Sequence, residues 1–338
     1  MLRIFALVDG EADECVQELA WRRLAPLASR AAVRALLNRC SEDLAARLEA
    51  SGVACAHVAL PATPDWSALR DTAAAARAHH AQVLYANGAS AHALCALAGP
   101  LVRLPVVAHL TRPLGMADAH AHATCRSVLI VASEQARAHA LASGCAEAAV
   151  VPTPADAPTH PRASRTIGWA GARRAADGLD LFLEAAASMA AVRDDARFRI
   201  AAPAAIAEDV RAAAAGLPAS VVDLRFGEDG FARDLHVLAH TAWEDATHLT
   251  LVDALQAGAR VVATTAGGSA DLLRYRRALT LYAPGDAEAL LRALLIAYDR
   301  PHAHVPPEAI PLPGADECAV HALRILAAAA AGTTALAA

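Results

Sequence analysis

The stretch LTLVDALQAGARVVATTAGGSAD, residues 249–271, contains three successive features of an α/β fold. Apolar residues at helical spacing run up to Gly258, which is typical of a helix end. A short buried strand is predicted over 260–263, and Gly267 and Gly268 follow it. Helix, strand and glycine turn in this order predict a parallel sheet with helical crossovers.

The same alternation runs along the rest of the chain. Strands are predicted over 2–8, 53–60, 83–85, 105–110, 127–131 and 148–151, then over 166–169, 198–201, 221–226, 235–238, 260–263 and 278–282. Helices are predicted over 14–27, 41–50, 66–79 and 134–142, then over 179–189, 208–215, 249–257 and 287–298. This pattern predicts an α/β protein with two Rossmann-like, doubly wound domains that face each other across a cleft.

A proline-rich stretch separates the two series of strands. Residues 151–164 contain four prolines and little periodicity, which is typical of a linker. We therefore predict domains over 1–160 and 161–338. An amphipathic helix is predicted over 315–330, and it could pack back on the first domain.

Composition excludes several classes of function. The chain has 338 residues with a formal net charge of −5 and no basic run, so a nucleic acid partner is not expected. All 30 basic residues are Arg, which excludes pyridoxal phosphate aldimines, Schiff-base aldolases and Lys-dependent phosphate loops. Seven scattered Cys without a Cys-x-x-Cys pair indicate reduced thiols and a cytoplasmic location.

Two carboxylates flank the predicted start of the helix at 249–257. Asp245 precedes that start and Asp253 lies inside the helix, eight residues later. The free N–H groups at 247–249 would form an anion site suited to a diphosphate. Asp253 could accept hydrogen bonds from ribose hydroxyls, and Asp245 could accept one from a sugar hydroxyl.

The run from Asp253 to Asp271 resembles the donor motif of the retaining family-four glycosyltransferases, which have the GT-B architecture. That motif reads EAxAxGxPVVATxxGGxxE, and this chain has DALQAGARVVATTAGGSAD. Residues 171–181, 281–286 and 131–134 are similar to other segments of the family. Nearly the whole chain can be aligned with the family pattern, although the first half aligns only loosely.

The resemblance implies transfer of a sugar, with retention, from a nucleotide-diphosphate donor to an acceptor. Residues 1–160 would form the acceptor domain and 161–338 the donor domain. The implied catalytic residues are Asp245 and His109, and the implied donor-binding residues are Gly171, Arg173, Arg174, Thr247, His248, Leu249, Asp253, Gly267 and Gly268. No metal or other cofactor is implied. The acceptor would be a saccharide, a lipid-linked molecule or a protein, as in bacterial polysaccharide biosynthesis.

Departures from the family pattern keep a second hypothesis open. Asp177 stands where a diphosphate-binding basic residue is expected, and Glu11-Ala12 replace a glycine pair. Thr111 aligns with the usual His better than His109 does. These departures favour a non-catalytic GT-B protein that serves as a binding or scaffolding partner. A sugar-nucleotide epimerase is a third hypothesis.

Other features of the sequence predict no further site. Asp118, His120, His122 and Cys125 do not have the spacing of a closed zinc site, so no metal is expected. No stretch reaches the roughly 18 apolar residues of a membrane span. The prediction is a cytoplasmic protein that could contact the inner membrane face peripherally, and a protein partner is also allowed.

Overall fold

The computed structural model describes most of the chain and divides it into two compact units. The described residues are 1–10, 14–60, 65–111, 125, 127–155, 165–171, 177–226, 231–243, 248–275, 278–300 and 312–333. The first unit comprises Met1–Pro154 and Pro313–Ala338, and the second comprises Ala155–Leu312. The chain therefore completes the second unit before it returns to the first.

The first unit is built on a seven-stranded parallel sheet in the order β3-β2-β1-β4-β5-β6-β7. Its strands are β1 Arg3–Asp9, β2 Ala32–Asn38, β3 Ala54–His57, β4 Val83–Asn87, β5 Val106–His109, β6 Val128–Val131 and β7 Ala148–Val150. The strand order reverses between β1 and β4. Ligands of doubly wound sheets bind beyond the carboxyl ends of the strands at such a reversal.

Helices cover both faces of this sheet, because successive side chains of a strand point to opposite faces. Ile4 and Val8 of β1 join one apolar core, whereas Phe5 and Leu7 join the other. The first core is covered by α1 Glu14–Ala28, α2 Glu42–Ala50 and α10 Ala315–Ala330. The second core is covered by α3 Trp66–Ala78, α4 Ala89–Val102 and α5 Glu134–Ala142.

The last helix, α10, completes the core of the first unit. It packs against α1 and also contacts β4 and β5. Cys318, Ile325 and Leu326 of this helix are buried among residues of β1, β4 and α1. Burying an apolar side chain of this size contributes about 1.5–3 kcal/mol, so the first unit depends on the chain returning to it.

The second unit has a six-stranded parallel sheet in the order β10-β9-β8-β11-β12-β13. Its strands are β8 Thr166–Ala170, β9 Arg197–Ala202, β10 Val222–Phe226, β11 Val237–His240, β12 Arg260–Thr264 and β13 Leu279–Tyr282. Its helices are α6 Leu179–Ala190, α7 Ala207–Ala214, α8 Leu249–Gln256 and α9 Ala287–Asp299. The order reverses between β8 and β11, so this sheet also has a ligand-binding edge there.

Local capping fixes where several helices begin. Ser41, Asp65 and Ser133 each accept a hydrogen bond from the backbone N–H three residues later, and they begin α2, α3 and α5. Asp286 does the same for α9, with Oδ1 at 2.8 Å from the N–H of Ala289. Caps of this kind typically stabilise a helix by about 1 kcal/mol.

The predicted α/β fold with two parallel-sheet units is confirmed, and two elements were missed. Strand β2 was not predicted because its sequence, Ala-Val-Arg-Ala-Leu-Leu-Asn, lacks a run of β-branched residues. Helix α4 was not predicted because it is apolar nearly all round and contains Pro100. Strand β11 also lies two residues later than predicted, at Val237–His240.

Candidate active site

Buried hydrogen bonds join two loops at the carboxyl edge of the second sheet. Trp169 in β8 donates from Nε1 to Oγ1 of Thr241, just after β11, over 2.8 Å. The Thr241 hydroxyl donates in turn to the carbonyl oxygen of Asp177, also over 2.8 Å. Because β8 and β11 are the strands at the reversal, these bonds fix the loops that would face a ligand.

Two glycines are needed for this arrangement. Gly178 has a φ of 68°, and a Cβ placed on it would lie 2.5 Å from the carbonyl oxygen of Thr241. A Cβ on Gly171 would lie 2.7 Å from the Trp169 ring. The predicted donor-binding Gly171 therefore has a packing role against Trp169, and the side chain of Asp177 between these glycines is buried.

The predicted glycine turn lies at the same edge, directly after β12. Gly267 and Gly268 have φ values of 64° and 85° within the segment Ala266–Tyr275, which is otherwise wound as 3-10 turns. Thr264, the last residue of β12, donates from Oγ1 to the carbonyl oxygen of Ala242 over 2.6 Å. Left-handed glycines expose backbone N–H groups without a side chain above them, which suits an anionic ligand.

Helix α8 begins beside these two loops. His248 precedes it with a left-handed φ of 54° and is buried. Leu249 begins the helix with a buried side chain, so only its backbone N–H could serve a ligand. Asp253 lies four residues further on, half-buried. The structure thus brings His248, Leu249, Gly267 and Gly268 to the edge of one sheet.

His109 lies at the carboxyl end of β5, in the first unit, and is 2% exposed. Its Nδ1 is 2.8 Å from the hydroxyl of Tyr85. Burial, aided by the nearby Arg23 guanidinium, holds the pKa of His109 well below its ordinary value. The imidazole is therefore neutral at pH 7, and when Tyr85 donates to Nδ1 the ring proton is on Nε2.

Sequence reasoning missed a polar cluster at the same edge of the first sheet. Asp9, Asn38 and Asn87 end β1, β2 and β4, and all three side chains are buried. Asp9 accepts two hydrogen bonds from Arg39, over 2.9 and 2.6 Å. A polar residue that ends a buried apolar strand was the feature that could have revealed them, since Asp9 and Asn87 both follow such runs.

Several predicted site residues lie outside the described residues. They are Arg173, Arg174, Asp245 and Thr247 among the expected catalytic and donor-binding residues, and Glu11, Asp118, His120 and His122 among the others. Among described residues, no group of three or more His, Cys, Asp or Glu side chains is placed to hold a metal ion. None of the described helices combines the length and the hydropathy of a membrane span.

Comparison by sequence gives a match over the second unit. Residues 164–300 match the family model described as Glycosyl transferases group 1. The second unit carries a glycosyl transferases group 1 domain. A search of curated proteins gave no match to the chain.

Comparison by structure extends to both units. HepE of Anabaena, solved with UDP-glucose, superposes with a TM-score of 0.74 at 16% identity, over 96% of each chain. A glycosyltransferase of Rickettsia africae gives a TM-score of 0.68 at 10% identity, over 98% of this chain and 94% of that one. A putative UDP-N-acetylglucosamine 2-epimerase of Listeria monocytogenes gives 0.64 at 12% identity, over 97% and 96%. These matches confirm the GT-B fold, which hosts more than one chemistry.

Proposed function

We propose that the chain is a glycosyltransferase that moves a sugar, with retention, from a nucleotide-diphosphate donor to a saccharide, lipid-linked or protein acceptor. The observation that carries the proposal is the glycosyl transferases group 1 domain over residues 164–300, whose sheet edge contains the glycine turn and the start of α8. The proposal includes a cytoplasmic location, peripheral contact with the inner membrane face and no metal.

The donor would bind at the carboxyl edge of the second sheet. Left-handed Gly267 and Gly268 and the first N–H groups of α8 would meet the diphosphate, where the helix dipole favours negative charge. Asp253, one turn into α8, would accept hydrogen bonds from ribose hydroxyls. Arg173 and Arg174 are proposed to neutralise the leaving diphosphate, and Asp245 to bind the donor sugar, because their positions match the donor motif.

Catalysis would then consist of positioning and electrostatic stabilisation. In a retaining transfer on one face of the sugar, the leaving diphosphate oxygen can take the acceptor proton, so no separate base is needed. His109 is proposed to contact the reacting sugar as a neutral imidazole. A neutral ring suits this position because it adds no charge beside the reacting sugar.

Thermal unfolding with nucleotides tests the donor site directly. UDP comes first because the Anabaena relative was solved with UDP and UDP-glucose, followed by GDP, ADP and their sugar conjugates. At 100 times Kd, a ligand that binds only the folded chain adds about 2.7 kcal/mol of stability. We expect one nucleotide to give this effect, Asp253→Ala to lose it and Asp209→Ala, on the exposed face of α7, to keep it.

The result that contradicts the proposal is an absence of stabilisation by every nucleotide. The chain would then be a non-catalytic GT-B protein, an alternative that the comparisons do not favour. Turnover separates the remaining hypotheses. Release of UDP from UDP-glucose with a new glycosidic bond, read by NMR for its anomeric configuration, supports a retaining transferase. Conversion of UDP-N-acetylglucosamine into its 2-epimer without any acceptor would identify an epimerase instead.

A further inference from the structure

A buried guanidinium in the first unit makes its contacts with neutral groups in the part of the chain that the structure describes. Arg23, on α1, is 5% exposed. Its Nη1 is 3.4 Å from Oδ1 of Asn87, and its Nη2 is 3.5 Å from the carbonyl oxygen of Leu110. Both contacts are long for a hydrogen bond and neither partner carries a charge. Among the described residues, Nε of Arg23 has no hydrogen-bond partner.

The neighbouring Arg22 is a buried cation that is paired with a carboxylate. Arg22 is as buried as Arg23, but its Nε is 2.8 Å from a carboxylate oxygen of Glu18. No carboxylate of the described residues contacts Arg23. The nearby Tyr85 and Cys318 are neutral at pH 7, because burial raises the pKa of each to about 12. Burial lowers the pKa of Arg23 to about 10, so it remains charged at pH 7. An unpaired buried charge is costly, which indicates an anion that the described residues do not supply.

Other buried polar groups lie at the carboxyl ends of β4 and β5, the strand ends that Arg23 contacts through Asn87 and Leu110. Nε2 of His109 and Oγ1 of Thr111 are buried, and neither has a hydrogen-bond partner among the described residues. The Asn87 amide is also buried and lies beside the Tyr85 hydroxyl. Asn87 and His109 are direct partners in the register of β4 and β5. Thr111 follows β5 and is itself half-buried, so the cluster lies close to the surface there. Guanidinium, amide, imidazole and hydroxyl groups together match an oxyanion, which accepts several hydrogen bonds at once.

We propose that Arg23, Asn87, His109 and Thr111 form a binding site for an oxyanion, a carboxylate or a phosphate, carried by the ligand of the first unit. In the proposed transferase this ligand is the acceptor, so the inference adds that the acceptor is acidic and rests on the proposed function for that assignment alone. The four residues all belong to the first unit, whereas the residues proposed to hold the nucleotide belong to the second.

The test measures anion-dependent stability in the full chain without nucleotide. Inorganic phosphate and glucuronate are compared with glucose, and with chloride at the same ionic strength. Arg23→Met removes the guanidinium, and Arg22→Met is the matched control, because Glu18 keeps its partner Arg47 at 2.7 Å. We expect an oxyanion to bind wild type and Arg22→Met equally and Arg23→Met about tenfold or more weakly.

Asn87→Asp provides a second variant that does not depend on tolerance of Arg23→Met. It places a carboxylate beside the guanidinium, so it should fold, raise stability and lose the oxyanion effect. An oxyanion effect that chloride reproduces, or that Arg23→Met and Asn87→Asp retain, overturns the proposal. A response to phosphate alone or to glucuronate alone supports it and identifies a phosphorylated or a uronic ligand. Nucleotide binding at Asp253 is measured separately, so failure of one proposal does not decide the other.

Discussion

The two sheets have the same reversal of strand order but different carboxyl edges. In the first unit, the edge is formed by the buried polar side chains of Asp9, Asn87 and His109. In the second unit, it is formed by left-handed glycines and by hydroxyls that bond to backbone carbonyls. Each edge also contains a left-handed glycine packed against a backbone carbonyl oxygen, Gly88 against Asp9 and Gly178 against Thr241. The contrast therefore lies in the carboxylate, amide and imidazole groups of the first edge and the successive glycines Gly267 and Gly268 of the second.

This difference determines which substitutions should matter in each unit. An edge made by backbone is damaged when a side chain is added, because a Cβ meets a neighbouring backbone atom. An edge made by side chains is damaged when a polar partner is removed or its charge is changed. Three predictions follow this contrast, beginning with the largest expected effect.

Adding one methyl group at Gly178 should cost the most. Gly178→Ala combines a left-handed φ of 68° with a contact of 2.5 Å to the carbonyl oxygen of Thr241. We expect a loss of about 2–5 kcal/mol in the free energy of unfolding, measured in urea. Gly144 is the matched control, since its φ is 90° but nothing lies within 4 Å of its Cβ position. Gly144→Ala should cost about 1–2 kcal/mol, and equal losses would show that the contact with Thr241 is unimportant.

Removing the indole N–H at the same edge should have an intermediate effect. Trp169→Phe leaves the Thr241 hydroxyl without its donor in a buried position. The expected loss is about 1–3 kcal/mol, measured by circular dichroism in urea. Trp66→Phe serves as the control, because Trp66 is 68% exposed and should change stability by less than about 0.5 kcal/mol. A Trp169→Phe variant as stable as the control would mean that the hydrogen bonds do not hold the loops.

The polar edge of the first unit should instead make the free energy of unfolding depend on pH. The pKa of His109 is lowered by burial, so below about pH 6.5 the unfolded chain binds a proton that the folded chain does not. The contribution of His109 to the free energy of unfolding has its full value above that pH. It decreases as the pH falls from there towards the pKa of His109 in the folded state. The slope contributed is at most about 1.4 kcal/mol per pH unit.

Urea unfolding between pH 5 and pH 7.5 checks this prediction. His109→Gln should flatten the pH dependence, whatever it does to stability at pH 7. His321→Gln, on the exposed face of α10, should leave the pH dependence as it is in wild type. Parallel pH profiles for wild type and His109→Gln would show that His109 does not titrate differently on unfolding.

Most elements could be predicted because their sequences carry strong local patterns. Strands such as β1 and β12 are short apolar runs. Ser41 and Asp65 cap their helices by accepting hydrogen bonds from backbone N–H groups only three residues later in the sequence. Strand β2 and helix α4 lack such patterns. Their conformations are decided by neighbours, since β2 pairs with both β1 and β3, and α4 packs against α3, β1 and β4.

The features of the candidate site likewise fall into those that local sequence predicts and those that depend on distant residues. The glycine turn at Gly267 and Gly268 and the start of α8 follow from residues close together in sequence. By contrast, the contact between Arg23 and Asn87 joins residues 64 positions apart, and that between Trp169 and Thr241 joins residues 72 apart. Spacing along the chain carries no information about such pairs.

The sequence by itself determined the parallel α/β class, the absence of Lys chemistry and the backbone edge of the second unit. These properties depend on composition and on patterns within about 20 residues, which local propensity and hydrophobic periodicity encode. Only the tertiary structure decided that α10 completes the first unit and that Arg23 is buried without a carboxylate partner among the described residues. Burial and charge pairing are properties of the folded packing, because they depend on which distant segments exclude water from a group.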